Sequence, residues 1–145
     1  MFERLMSVRD QLQALTDIPP LLFRLILSCG FFGPATRKIN NIDSIAEWFG
    51  SMNFPFPILN AYLATITETA GFILIFLGLA TRIISLPLMF VMLVAIFAVH
   101  IGNGFAAGDN GFEIPLYYFL MLFSLFITGP GRVSLDFLIE KQLKK

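Results

Sequence analysis

Charged side chains are scarce in this sequence of 145 residues. They make up 14% of the chain, whereas a soluble domain carries roughly 25%. Hydrophobic residues make up 57%, and the formal net charge at pH 7 is zero. No basic stripe interleaved with exposed aromatic residues is present, so nucleic-acid binding has no support. The composition predicts a protein whose partner is the lipid bilayer.

Cysteine and histidine are nearly absent as well. Cys29 is the single cysteine, which excludes an internal disulfide, a CxxC redox pair and a cysteine-ligated cluster. Any redox chemistry must therefore use a bound cofactor or a partner. His100 is the single histidine, and zinc sites usually use three or four protein ligands, so we predict no metal site. The first 17 residues lack a long apolar run, and we expect no cleavable signal peptide.

Four long apolar runs occupy most of the chain. They cover 18–36, 58–80, 83–103 and 113–130. Each run is close to the ~20 residues that a helix needs to cross ~30 Å of hydrocarbon, and continuous runs favour helices over membrane strands. We therefore predict an all-α membrane protein: a single domain over 1–145 that forms a four-transmembrane-helix bundle.

An even number of spans places both ends of the chain on one side of the membrane. Most of the basic residues outside the runs lie on that side, namely Arg4, Arg9, Arg82, Arg132, Lys141, Lys144 and Lys145. Only Arg37 and Lys38 lie on the other side. The positive-inside rule thus predicts cytoplasmic N- and C-termini.

Three segments outside the runs show amphipathic helical spacing. They are the 37–57 loop, in which Trp48 would be an interfacial ring, the first fifteen residues, and the tail after Ser134. Such segments typically lie in the membrane interface. We predict short interfacial amphipathic helices here.

Glu68 is the most unusual residue of the second run, TITETAGFILIFLGL. It follows Ile58 by ten residues and so lies about 15 Å into the membrane. An acidic group at that depth costs about 2.5 to 3.5 kcal/mol on insertion scales. Glu68 also shares one helical stripe with small residues, which let a neighbouring helix approach closely. We expect Glu68 to point into the bundle.

The other runs also carry polar residues along one stripe. Arg24 and Lys38 align on the first run, and Arg24 lies about 9 Å from its inner end, with a side chain that can bridge ~6 Å toward Glu68. His100 ends the third run and Glu113 begins the fourth. We predict two tiers: Arg24 with Glu68 near mid-membrane, and His100 with Glu113 near the outer surface.

The candidate roles follow from these two tiers. The predicted catalytic residues are Arg24, Glu68 and His100, and the predicted substrate-binding residues are Lys38, Trp48, Asn110, Glu113 and Tyr117. Two alternatives stay open. Arg24 and Glu68 can instead form a buried ion pair that only fixes helix register, and Lys38 can meet lipid headgroups together with Arg37.

An ordered set of short motifs resembles the DoxX family of small integral membrane proteins. The motifs are E-T-A-G-F, G-L-A-T-R, H-I-G-N-G-F, D-N-G-F-E-I-P and G-P-G-R-V-S-L-D, after an arginine in the first span. The resemblance runs from about Ile18 to Asp136. It rests on the order and spacing of the motifs, since no single motif is specific. The stretch D-N-G-F-E-I-P-L-Y-Y is similar to the HvfX-like branch, which is associated with copper-handling gene clusters.

The resemblance implies an inner-membrane protein linked to quinone redox systems, such as one component of thiosulfate:quinone oxidoreductase. The matching polar positions are Arg24, Glu68, His100, Asn110 and Glu113. We therefore expect a quinone-linked oxidoreductase subunit that binds quinone and works with a partner redox subunit. A docking module for a redox or copper-handling partner is one alternative, and a small proton- or metal-coupled transporter is another. A homo-oligomer is also left open.

Overall fold

The computed structural model describes residues 15–144, which contain helices and connecting turns and no strand. We label the α-helices as follows: α1 Ile18–Asn40, α2 Ile42–Ser51, α3 Pro57–Leu77, α4 Thr81–Val94, α5 Glu113–Thr128 and α6 Leu135–Leu143. A π-helical segment, Ala95–His100, and a short 3-10 helix, Ile101–Asn103, continue α4. A second 3-10 turn, Ala107–Asp109, lies before α5. The predicted all-α fold is confirmed for this part of the chain.

Three helices of the described chain are long and apolar enough to cross a membrane. They are Ile18–Asn40, Pro57–Leu77 and the continuous segment Thr81–Asn103. The fourth predicted span is the apolar helix Glu113–Thr128, whose 16 residues fall short of that length. The first three predicted spans are thus confirmed by length and composition. The fourth span and the single-domain assignment stay predictions.

The helices pack as antiparallel neighbours around an apolar core. α1 lies along α3, α4 lies along α5, and α2 packs on α3. The buried core residues come from all four long helices: Leu27, Phe31, Ile75, Ile84, Leu88, Met89, Met92, Leu122 and Leu125. Large apolar side chains also cover the outside, for example Ile83 at 73% and Phe90 at 67% exposure. An outer surface of this kind fits a lipid surrounding.

Glycines set the closest helix contacts. A Cβ on Gly71 of α3 would lie 2.6 Å from Cδ2 of Leu88 on α4. A Cβ on Gly30 of α1 would lie only 1.9 Å from the hydroxyl oxygen of Tyr118 on α5. A side chain at either position would require the facing Leu88 or Tyr118 side chain to move, and small residues allow this close approach. The predicted role of small residues in helix contact is confirmed for Gly71.

Two of the three predicted surface helices are present. α2 lies in the 37–57 loop, and α6 follows Ser134, whose hydroxyl caps it by accepting a hydrogen bond from the Phe137 amide at 3.2 Å. The Asp136 carboxylate of α6 accepts hydrogen bonds from the amides of Ala80 at 2.7 Å and Thr81 at 3.0 Å. It thereby caps α4 and ties α6 to the α3–α4 turn. Residues 1–14 of the third predicted helix lie outside the described residues.

Candidate functional site

Arg24 of α1 is held at one end of the bundle, which we call the Arg24 end. Only 3% of Arg24 is exposed. Its guanidinium donates to four backbone carbonyl oxygens: Ile75 at 2.8 Å, Phe76 at 2.6 Å, Pro130 at 3.2 Å and Val133 at 2.5 Å. The last carbonyls of a helix have no partner within that helix, and guanidinium offers five donors in a planar fork. Arg24 therefore joins the end of α3 to the loop after α5.

The predicted pairing of Arg24 with Glu68 is wrong. Side chains on an α-helix tilt toward the N-terminus of their own helix. Arg24 therefore points toward the start of α1, away from Glu68. The turn after α3 also leaves no room for another side chain, since a Cβ on Gly78 would lie 2.6 Å from Cζ of Arg24.

Glu68 pairs with Lys38 instead. The Nζ of Lys38 lies 2.5 Å from the Oε1 of Glu68, and 18% and 4% of the two side chains are exposed. The same tilt explains this pair, because Lys38 near the far end of α1 points back into the bundle. Lys38 thus does not extend to the headgroups. The prediction that Glu68 points inward is confirmed by its burial.

The second oxygen of this carboxylate is unsatisfied. Among the described residues, two buried side-chain oxygens have no hydrogen-bond partner: Oε2 of Glu68 and Oγ1 of Thr81. Leaving the Thr81 hydroxyl without a partner costs the fold little stability. A buried carboxylate oxygen without a partner costs more. A carboxylate with one free oxygen can accept a proton or a hydrogen bond from a bound molecule. Within residues 15–144, Glu68 is therefore the buried ionisable group with an oxygen that has no hydrogen-bond partner.

A groove about 420 Å³ in volume lies between α1 and α3. Its lining is mostly apolar: Ser28, Cys29, Phe32, Phe72, Ile73, Phe76 and Leu77. The rings of Phe32 and Phe72 meet edge to face at 5.4 Å. Phe72 follows Glu68 by four residues, so its backbone lies about 6 Å further along α3. Neither Glu68 nor Lys38 lines the groove.

The predicted outer tier is a hydrogen-bonded loop at the opposite end of the bundle, which we call the His100 end. The Nδ1 of His100 lies 2.8 Å from the backbone oxygen of Asn110. The Glu113 carboxylate accepts hydrogen bonds from the Ala107 amide at 2.9 Å and the Tyr117 hydroxyl at 3.0 Å. His100 and Glu113 thus each hold the 101–112 loop. No hydrogen bond or ion pair between them is present in the described chain.

Trp48 is placed apart from these groups, on the surface helix α2. It is 42% exposed, and its ring lies 5.3 Å from the ring of Phe49. An exposed aromatic ring on an amphipathic helix is typical of an interfacial anchor. The structure does not bring Trp48 into the Lys38–Glu68 pair.

The chain belongs to the DoxX family, whose sequence profile matches residues 20–101. An uncharacterized protein of Haemophilus influenzae is 33% identical over 83% of this chain and 83% of its own length. A Bacillus subtilis protein named "Putative oxidoreductase CatD" is 32% identical over 88% of this chain and 92% of its own. The inner membrane protein YphA of Escherichia coli is 33% identical over 68% and 74%. No solved structure matches the chain.

The matched segment contains the Lys38–Glu68 pair, Arg24 and His100, and it ends before Asn110 and Glu113. The finer placement in the HvfX-like branch stays a prediction.

Proposed function

We propose that the protein is a quinone-linked oxidoreductase subunit of the bacterial inner membrane, in which Glu68 exchanges protons with the quinone. The carrying observation is the buried Glu68 carboxylate with one oxygen bound to Lys38 and the other free. Ionisable groups inside a membrane are costly and usually serve function. Two relatives' names support the setting, one an oxidoreductase and one an inner membrane protein.

The proposed topology has four spans, with α5 as the fourth. Sixteen residues extend about 24 Å, which is short of the ~30 Å core, and a short span is accommodated by local thinning of the bilayer at modest cost. α5 packs along α4, which is itself long enough to cross. Both termini then lie on the side of the Arg24 end. Arg82 and Arg132 at that end favour the cytoplasm.

The groove between α1 and α3 suits the body of a quinone. It is open to the lipid side, through Cys29 and Phe76, and it is lined by phenylalanine rings that can contact a flat ring. Reducing a quinone to a quinol takes two electrons and two protons. The described residues hold no disulfide-forming pair, so a bound cofactor or a partner redox subunit would supply the electrons.

The pair itself would handle the protons. Oε2 of Glu68 is free to take up or release a proton, while Lys38 stabilises the carboxylate when it is charged. Lys38 is the more exposed partner. A proton can therefore be replaced from the side of the membrane where α1 ends. The guanidinium of Arg24 already donates to four backbone carbonyls. Arg24 would therefore stabilise the packing of the helices and take no part in proton exchange.

The test begins with purification in a mild detergent and mass spectrometry of bound small molecules. We expect quinone to accompany the wild-type protein and to be lost from Phe72→Ala, in which the groove loses one ring. Glu68→Gln should keep the quinone but slow its reduction by a membrane-derived electron donor. Glu47→Gln, at an exposed glutamate of α2, is the matched control and should behave as wild type.

Three outcomes would contradict the proposal. Quinone that neither co-purifies nor binds when added would leave the groove without its ligand. A Glu68→Gln variant with lower stability but unchanged turnover would favour the docking module, in which the polar pair serves assembly alone. Ion flux in proteoliposomes that stops in Glu68→Gln would instead favour the transporter.

A further inference from the structure

A second cavity lies at the Arg24 end, between the start of α4, the loop after α5, and α6. Its volume is about 550 Å³. Its charged lining consists of three carboxylates and two guanidiniums, those of Asp17, Arg82, Arg132, Asp136 and Glu140. The cavity thus offers both signs of charge, with a small excess of negative groups. It is separate from the groove between α1 and α3, and no step of the proposed quinone chemistry uses it.

Three of these five groups are paired with one another or with the backbone. Asp17 accepts a hydrogen bond from the Arg132 amide at 2.9 Å, and its other oxygen lies 3.5 Å from Nε of Arg132. The two oxygens of Asp136 accept hydrogen bonds from backbone amides at the start of α4. Arg82 and Glu140 are therefore the charged groups of the lining that remain for a ligand.

Arg82 of α4 and Glu140 of α6 attract each other across the cavity. The guanidinium of Arg82 makes one long hydrogen bond, 3.4 Å to the backbone oxygen of Ile127. One oxygen of Glu140 pairs with Lys144 at 2.5 Å, and the other has no hydrogen-bond partner in the described chain. The hydrogen bond from Lys144 holds the pKa of Glu140 below its usual range, and the charge of Arg82 adds to this effect. Within residues 15–144, however, Arg82 and Glu140 form no ion pair.

A cation and an anion placed in this way are complementary to a ligand that carries both charges. The planar guanidinium fork of Arg82 matches two oxygens of a phosphate. The oxygen of Glu140 without a partner can accept a hydrogen bond from a primary ammonium group. A quaternary amine has no N–H group to donate, and an anionic headgroup without an amine would bring a further negative charge beside Glu140. An ethanolamine phosphate group therefore fits both residues.

Arg82 lies where the headgroup of a lipid would be. It is the second residue of α4, so it lies at the end of a membrane-crossing segment. Ile83 beside it is 73% exposed, and it lines the cavity together with Phe137 of α6. The acyl chains of a lipid whose headgroup occupies the cavity would therefore meet apolar side chains.

We propose that this cavity binds the headgroup of phosphatidylethanolamine, with Arg82 as the ligand of its phosphate and Glu140 as the ligand of its ammonium group. The bound headgroup would take the place of the ion pair that the two residues do not form. It would bridge α4 and α6 at the surface of the membrane.

The experiment is native mass spectrometry of delipidated protein in detergent, titrated separately with phosphatidylethanolamine, phosphatidylcholine and phosphatidylglycerol. We expect one phosphatidylethanolamine to bind saturably and more tightly than either other lipid. Arg82→Gln should weaken the binding of phosphatidylethanolamine and phosphatidylcholine alike, about fivefold, because both carry the phosphate. Glu140→Gln should weaken phosphatidylethanolamine binding about two- to fivefold, as for an exposed ion pair. It should leave phosphatidylcholine binding unchanged, which also shows that this variant is folded.

Arg37→Gln and Glu47→Gln are the matched controls. Both residues are exposed and neither lines the cavity, and Arg37 also makes one 3.4 Å hydrogen bond to a backbone oxygen. Both variants should bind the three lipids as wild type does, and an equal loss in either control would overturn the proposal.

Three further results would also overturn it. The first is equal or tighter binding of phosphatidylcholine or phosphatidylglycerol by wild type. The second is unchanged phosphatidylethanolamine binding in Arg82→Gln or Glu140→Gln. The third is an equal affinity for the soluble headgroup glycerophosphoethanolamine, which would show a site for a free metabolite and reject the lipid.

Discussion

Arg24 and Lys38 are two cations on one stripe of α1 with opposite surroundings. Fourteen residues separate them, about 21 Å along the helix. Arg24 is 3% exposed and donates to four carbonyls. Lys38 has a more exposed side chain and a single partner, Glu68, one of whose oxygens stays free. At the first site four of the five guanidinium donors are bonded, whereas at the second a carboxylate oxygen has no partner.

This difference separates a structural group from a chemical one. A buried charge with nearly all of its donors used stabilises the fold and has little to offer a ligand. A buried carboxylate with a free oxygen is costly for the fold, and ionisable groups inside a membrane usually serve function. Under the proposed function, we therefore expect proton chemistry at Glu68 and helix assembly at Arg24.

The largest expected effect belongs to Arg24→Gln. Glutamine cannot reach four carbonyls, so buried acceptors at the ends of α3 and α5 would lose their partner. We expect a loss of about 3 kcal/mol in the free energy of unfolding, because each buried acceptor left without a partner costs about 1–3 kcal/mol. Thermal unfolding in detergent, with Arg37→Gln as the exposed control, measures it. A variant as stable as wild type would mean that the carbonyl contacts carry no stability.

Lys38→Met should have the next largest effect. It leaves the Glu68 carboxylate buried without its cation, at a cost of about 3 kcal/mol for an acidic group in the membrane interior. Glu68→Gln should cost less, because the glutamine oxygen can still accept from Lys38. Unfolding of both variants under the same conditions checks the order. The reverse order would indicate that Lys38 contributes little to holding Glu68.

Gly30→Ala tests the helix spacing between the two cations. The added Cβ would overlap the Tyr118 hydroxyl at 1.9 Å, and overpacking costs about 1–3 kcal/mol. Gly50→Ala on α2 is the control, since the nearest atom to its added Cβ, Cγ of Pro57, lies at an ordinary contact distance of 3.8 Å. It should leave stability unchanged or raise it by up to about 1 kcal/mol, because alanine favours the helix. Similar unfolding temperatures for the two variants would contradict the close contact of α1 with α5.

The smallest expected effect is that of Asp136→Asn. An asparagine keeps one of the two caps on the amides of Ala80 and Thr81 but loses the charge. We expect a loss of about 1 kcal/mol, as for other helix caps. Asp43→Asn, at an exposed position of α2, is the control. It measures the change in stability that comes from removing one negative charge without removing a cap. An effect as large as that of Arg24→Gln would show that the cap, not the arginine, holds the Arg24 end together.

The sequence predicts the fold well because lipid imposes long apolar helices. The runs at 18–36, 58–80 and 83–103 correspond to Ile18–Asn40, Pro57–Leu77 and Thr81–Asn103. The fourth run, 113–130, is a helix of 16 residues, and run length alone cannot decide whether it crosses. The inward position of Glu68 was predictable as well, because its cost in lipid is large.

The partner of Glu68 was not predicted, although the necessary signal is present. Arg24 and Lys38 were both recognised on one stripe, and rise per residue alone placed Arg24 within reach. The direction of helical side chains, toward the N-terminus of the helix, favours Lys38 and disfavours Arg24. The carbonyls that bind Arg24 could not be found this way, because they lie in turns far along the chain.

A double-mutant cycle tests the central claim most directly. The first cycle compares the unfolding of Lys38→Met, Glu68→Gln and the double variant. The second cycle compares Arg24→Gln, Glu68→Gln and their double variant under the same conditions. Interaction energies between contacting residues are about 0.5–3 kcal/mol. We predict coupling in that range between Lys38 and Glu68, and additivity within about 0.5 kcal/mol between Arg24 and Glu68. Coupling of Glu68 to Arg24 with additivity toward Lys38 would contradict the account.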